Sequence, residues 1–155
     1  MSRYIGSLFL AVLLALPFTG SQQSFEGHIS ELRYREGHPW YGYHVYAITS
    51  IDDQIYAKKA FETTGGMRDP DLEGWEVQVT LTEDESAAFD ELCLKTLRLP
   101  DWEERYEDNS ITCQDIWSLT YTLDGVEYET SGYALFPKDL SKIKAFFDDL
   151  DWPED

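Results

Sequence analysis

Residues 75–97 read WEVQVTLTEDESAAFDELCLKTL, and the change of period inside them decides the fold. Trp75, Val77, Val79 and Leu81 alternate with Glu76, Gln78 and Thr80, the two-residue period of a strand with one buried face. At Thr82 the period lengthens. Thr82 and Glu85 make a capping box, and Glu83 and Asp84 occupy the first turn, where the helix dipole favours negative charge. Phe89, Leu92, Cys93 and Leu97 then recur at helical spacing, and the helix is expected to stop before Pro100.

Upstream, Gly27 to Arg35 alternates, with Leu32 and Tyr34 on one side and Glu31, Arg33 and Arg35 on the other. Gly37-His38-Pro39 is a turn. Trp40 to Thr49 is an aromatic and β-branched run, read as a central strand, and Ile51 to Gln54 turns the chain into a third strand over Ile55 to Phe61. Thr63 to Glu73 reads as a loop. Downstream, Trp117, Leu119, Tyr121 and Leu123 alternate up to Asp124-Gly125, a hairpin signal because a type I′ turn needs positive φ at both central residues. Val126 to Ser131 returns antiparallel. Pro137 suits a first helical position, and Leu140, Ile143, Phe146, Phe147 and Leu150 form one apolar stripe. The expected fold is α+β: an antiparallel sheet of about six strands (four strands, helix, hairpin, helix) with two helices packed on one face.

The N-terminus reads as an address. Arg3 precedes the unbroken apolar run Leu8 to Leu16, and Pro17 and small residues follow, the pattern of a secretory signal peptide over 1–21. Ile5 to Phe18 falls short of the roughly 20 residues that cross a bilayer. Leu16-Pro17-Phe18-Thr19-Gly20 matches a cell-wall sorting pattern, but such signals act near a C-terminus. A lipoprotein would need a cysteine at the cleavage point, and the first cysteine is Cys93. One secreted or periplasmic, soluble domain is therefore expected over 22–155, with no membrane attachment once the signal is removed.

The chain of 155 residues holds 12 Lys+Arg against 30 Asp+Glu, a formal charge of −18, and is 15% aromatic. Taking 21 residues from 155 leaves 134, and losing Arg3 with no acid moves the charge from −18 to −19. Phosphate polyanions and anionic membranes repel such a molecule, which excludes nucleic acid as a partner. The aromatic content excludes intrinsic disorder.

An even cysteine count in an exported chain reads first as a Cys93–Cys113 disulfide, worth about 3 kcal/mol on the chain-entropy model; two reduced thiols are the other reading. No nucleophile elbow, phosphate-binding glycine loop or paired metal-binding histidine spacing is present, so no catalytic residue, metal ligand or cofactor is assigned. Asp69 to Gly74 copies the first positions of a calcium loop, but its positions 9 and 12 fall on Val77 and Thr80, which do not suit the ion. Trp75 and Trp117 lie on inward stripes and read as core, and His44 reads as a strand histidine.

The most unusual segment is Asp101 to Asn109. Trp102, Glu103, Glu104, Tyr106 and Glu107 are its candidate binding residues: aromatic anchors ringed by charge, the composition of an interaction surface. Alternatively, Trp102 and Tyr106 cover the core from one helical turn while the acids face water. The function expected from the sequence is a non-enzymatic binding, accessory or inhibitor-like domain with a basic protein partner. A small carboxylate-dependent hydrolase and acidity as an adaptation to salt are the alternatives.

Overall fold

The computed structural model describes residues 25–62, 75, 77–108, 110 and 114–153. Among them, seven strands form one sheet: β1 (Ile29–His38), β2 (Gly42–Ile51), β3 (Gln54–Glu62), β4 (Val77–Thr80), β5 (Arg105–Glu107), β6 (Ile116–Leu123) and β7 (Val126–Tyr133). Two α-helices, α1 (Glu83–Glu91) and α2 (Ser141–Asp148), accompany it. The strand order across the sheet is β4-β3-β2-β1-β6-β7-β5.

The period-two stripes set the register. Leu32 lies opposite Ile48 and Tyr121, and Tyr34 opposite Tyr46 and Leu119, so the inward residues of three strands fall in line. All six are buried, together with Trp117 and Ala57. Both helices cover this face. Phe89 of α1 meets Phe146 and Phe147 of α2 at 4.8 and 6.2 Å between ring centroids, and Phe147 lies 5.1 Å from Tyr46. The capping box at Thr82 forms as its sequence implies: Glu85 N–H donates to Thr82 Oγ1 and Thr82 N–H donates to the Glu85 carboxylate. The Thr82 N–H and the Thr82 hydroxyl, both donating to that carboxylate, hold the Glu85 pKa below the usual carboxylate value.

Turn chemistry closes the hairpins. Asp124 and Gly125 have φ of 49° and 80°, and Asp52 and Asp53 repeat the arrangement between β2 and β3 with φ of 51° and 63°. Gly132 is required for a different reason. It lies opposite Trp117 on β7, and a Cβ there would collide with the indole nitrogen, which crosses β7 to donate to Leu135 O at 2.8 Å.

The expected all-antiparallel sheet of about six strands is corrected to a mixed sheet with a seventh strand. β5 pairs parallel with β7, Arg105 against Ser131 and Glu107 against Tyr133. It lies inside the segment read as an acidic loop, and three residues are too few to display a period. Helix ends move as well. After Glu91 the helix widens into a π-helical turn over Leu92–Thr96, Arg98 takes a left-handed φ of 54°, and Pro100 sits in a 3-10 turn over Leu99–Asp101. Pro137 opens a turn rather than α2, because Asp139 at φ 68° interrupts the helix before Ser141. Trp40 and Tyr41 belong to the β1–β2 turn and are 67% and 76% exposed, so the central strand begins at Gly42. No helix among the described residues is long and apolar enough to cross a membrane.

Candidate functional site

The segment 98–108 is built by a left-handed stop followed by aromatic anchors. Arg98, turned out of the helix, binds the Asp101 carboxylate through Nε at 2.7 Å and Nη2 at 2.6 Å, which fixes the 3-10 turn around Pro100. Trp102 then points inward. Its indole N–H donates to Leu97 O at 2.8 Å, and its ring stands edge-on to Trp117 at 6.2 Å. Tyr106 packs on the same indole at 5.7 Å, and its hydroxyl accepts from Glu103 N–H at 3.0 Å.

Both candidate aromatics therefore cover the core, although from a 3-10 turn and a strand rather than one helical turn. The acids Glu103, Glu104 and Glu107 are exposed. Glu107 pairs with Arg105 at 2.9 Å.

Where this segment joins the sheet decides what it leaves open. Thr130 Oγ1 donates to Glu103 O, Ser131 N–H donates to Glu104 O at 3.1 Å, and Asp108 N–H donates to Tyr133 O at 3.1 Å. From Glu104 onward the chain is stitched to β7. Before that point the anchored Trp102 and Pro100 hold it away. A groove of about 630 Å³ lies in the gap, with Pro100 and Trp102 on one wall, Tyr128 and Thr130 on the other, and Glu104, Glu127 and Glu129 around it.

The floor of that gap is the margin of β7. In a two-residue hairpin the closing pair, Leu123 and Val126, is hydrogen-bonded, and the pairs alternate from there. Val126, Tyr128 and Thr130 thus direct their N–H and C=O groups to β6, while Glu127, Glu129 and Ser131 direct theirs outward. The Ser131–Glu104 bond shows this alternation directly. No described strand lies beside Glu127 or Glu129, so their backbone groups face the groove without a ladder partner. Tyr128 stiffens the wall by stacking on Tyr121 at 4.9 Å and 8°. Burial, and then Tyr128 beside it, pushes the Tyr121 phenol well above its ordinary pKa.

Of the sequence-derived residues, Trp102 and Glu104 meet in the groove, whereas Glu103, Tyr106 and Glu107 do not line it. Glu127, Tyr128 and Glu129 were missed. Their signal was present as acids at every second position of Val126 to Ser131, but nothing local says that this strand stands at a margin.

Catalytic arrangements find little support in this geometry. Glu104, Glu127 and Glu129 are all exposed, whereas a glycosidic general acid needs burial to hold its proton. His28 Nδ1 lies 2.8 Å from Asp90 Oδ2, and Asp90 sits one helical turn from Cys93. The resemblance to a thiol triad ends there. Cys93 is fully buried with a free thiol, and desolvation, then the Asp90 charge, drives its pKa well up, the reverse of an activated nucleophile. Asp90 instead ties the start of β1 to α1 by accepting from Ile29 N–H at 2.9 Å. Cys113, the other end of the expected bridge, lies outside the described residues, as does the calcium-like stretch Asp69 to Gly74. Among the described residues no group of three or more His, Cys, Asp or Glu is placed to hold a metal ion.

No protein-family model matches the chain, and no curated protein or solved structure shows significant similarity to it.

Proposed function

We propose that the protein is a non-enzymatic binding domain, exported through its 1–21 leader, that takes an extended basic segment of a partner protein into the groove beside β7. The observation that carries this reading is the coincidence of an open strand margin with a carboxylate rim. Outward N–H and C=O groups at Glu127 and Glu129 offer main-chain hydrogen bonds to an added strand. Glu104, Glu127 and Glu129 supply charge complementarity, and Arg105, the cation lining the groove, is already engaged by Glu107. Apolar side chains of the incoming strand would meet Tyr128, 37% exposed, and Trp102. Charge at the rim accelerates encounter, while the backbone bonds set the register.

The test uses a Lys-Val repeat peptide as probe, with a Thr-Val repeat of equal length as control. Tight, salt-sensitive binding of the basic peptide is expected, at least tenfold weaker for the Glu104→Gln, Glu127→Gln, Glu129→Gln triple variant. Glu129→Pro removes one outward N–H while leaving the β6–β7 ladder whole, and should abolish binding at unchanged fold. Binding that ignores salt and both variants would overturn the proposal.

A further inference from the structure

The sheet has a second surface that neither helix covers, and cations gather on it among the acids. The register lays out its middle row strand by strand: Gln78 on β4, Lys58 on β3, Ala47 on β2, Arg33 on β1, Thr120 on β6 and Glu129 on β7. Two cations thus flank an alanine from the neighbouring strands, their Cα atoms roughly 10 Å apart. Ala47 is 5% exposed and supplies a low floor between two long side chains. The row on one side carries the hydroxyls of Thr49 and Thr122 with Glu31 between them; the row on the other carries Arg35 and Ser118. A concavity of about 740 Å³ spans these residues, and Trp75 forms part of its wall.

The charges are unevenly satisfied. Glu62 accepts from Arg35 Nε at 3.0 Å and from Arg33 Nη2 at 3.4 Å, so one carboxylate serves two guanidinium groups. Arg35 is also held flat against the Tyr43 ring at 3.4 Å. Lys58 has no ion-pair partner among the described residues. In a chain of formal charge −18, three of its 12 cations share this one concave surface.

We infer that the open face is a second binding site, for an acidic saccharide whose carboxylate lies over Ala47 between Lys58 and Arg33. The class follows from the lining. A carboxylate suits the two cations, ring hydroxyls suit the acceptors and donors of Thr49, Thr120, Thr122 and Glu31, and a sugar ring suits the indole of Trp75. Glu31, Glu127 and Glu129 would repel a polyanion lying across the whole face. Glu31 and Glu127 lie one row away from the carboxylate, where they can accept from hydroxyls, and Glu129 lies at the far β7 end of the middle row. This site is independent of the β7 groove, with which it shares only the outlying Glu127 and Tyr121.

Titration calorimetry of the full chain with an oligosaccharide carrying a single uronate residue, and with its neutral counterpart of equal length, tests the inference. Saturable binding of the acidic sugar is expected, at least tenfold weaker for the neutral one. Lys58→Glu should weaken the acidic sugar at least tenfold without lowering the melting temperature, since Lys58 holds no ion-pair partner among the described residues. Thr120→Val should weaken both sugars severalfold. Glu104→Gln, whose residue lines the groove and not this concavity, should bind the acidic sugar as the parent does, so that this result stands or falls apart from the peptide experiment. Absence of saturable binding, equal affinity for the neutral sugar, or indifference to Lys58→Glu would overturn it.

Discussion

The two margins of the sheet are finished differently. At one, β4 is four residues long, and Trp152 lies beside it with its indole N–H on Phe147 O at 2.7 Å and Lys59 over its ring at 4.5 Å. At the other, β7 is eight residues long and is paired by β5 over its last three positions alone. A short strand backed by an anchored aromatic offers a newcomer little to pair with. A longer strand whose outward residues are glutamates repels other acidic chains, copies of itself included, yet admits a basic one. The same charges that guard the β7 margin against self-association would therefore select its partner.

The largest effect is expected at Trp117, which lies fully buried beneath the β7 margin and packs against both Trp102 and Tyr106. Trp117→Ala should cost about 3–5 kcal/mol in chemical denaturation and remove peptide binding, because the groove wall loses its support. Loss of stability with binding retained would show that the wall stands without it. At the β4 margin, Trp152→Ala gives up a half-buried ring and one hydrogen bond, and should cost about 1–2 kcal/mol while leaving peptide binding unchanged. A change in peptide affinity there would mean that the two margins are coupled.

The smallest effect separates neither margin but tests the face between them. Burial, with Asp148 and Glu36 adding repulsion, raises the Tyr46 phenol to about 12, and Tyr34 and Tyr121 are raised in the same direction. Each is easier to ionise in the unfolded chain than in the folded one. Their contribution is fully present below pH 10, and stability should decline as pH rises from about 10 toward 12. Melting temperatures flat across that window would contradict the burial of these phenols.

Local chemistry was legible wherever it repeats. The alternation in Val77 to Leu81, the capping box at Thr82 and the Asp124-Gly125 turn each depend on residues a few positions apart and take the expected form, whereas Trp75, read as core, precedes β4 and is half-buried in the wall of the uncovered face. Trp102 and Tyr106 were legible as a pair of aromatics and as candidate core, but not as two corners of one aromatic cluster with Trp117. β5 was not legible, since Arg105 to Glu107 becomes a strand only because β7 lies alongside. The helix ends at Leu92 and Ser141 were missed for a related reason. A widened turn and a left-handed aspartate are single-residue departures that a periodic stripe conceals.

Of the binding groove, the sequence supplied the acids and not their arrangement. Glu127 and Glu129 alternate with Tyr128 in a pattern that any half-buried strand would show. Their exposure follows from β7 standing second from the end in the strand order. Lys58 and Arg33, 25 positions apart in the chain, likewise meet across Ala47 through pairings that no short window contains.

By itself the sequence determined the acidity, the faces of the long strands and helices, and the turns, because each is settled by burial and backbone sterics over a few neighbouring residues. Tertiary structure alone decided which strand stands open, which carboxylates surround it and which cations share the uncovered face. Those depend on strand order, and strand order is set by packing free energy summed over residues far apart in the chain.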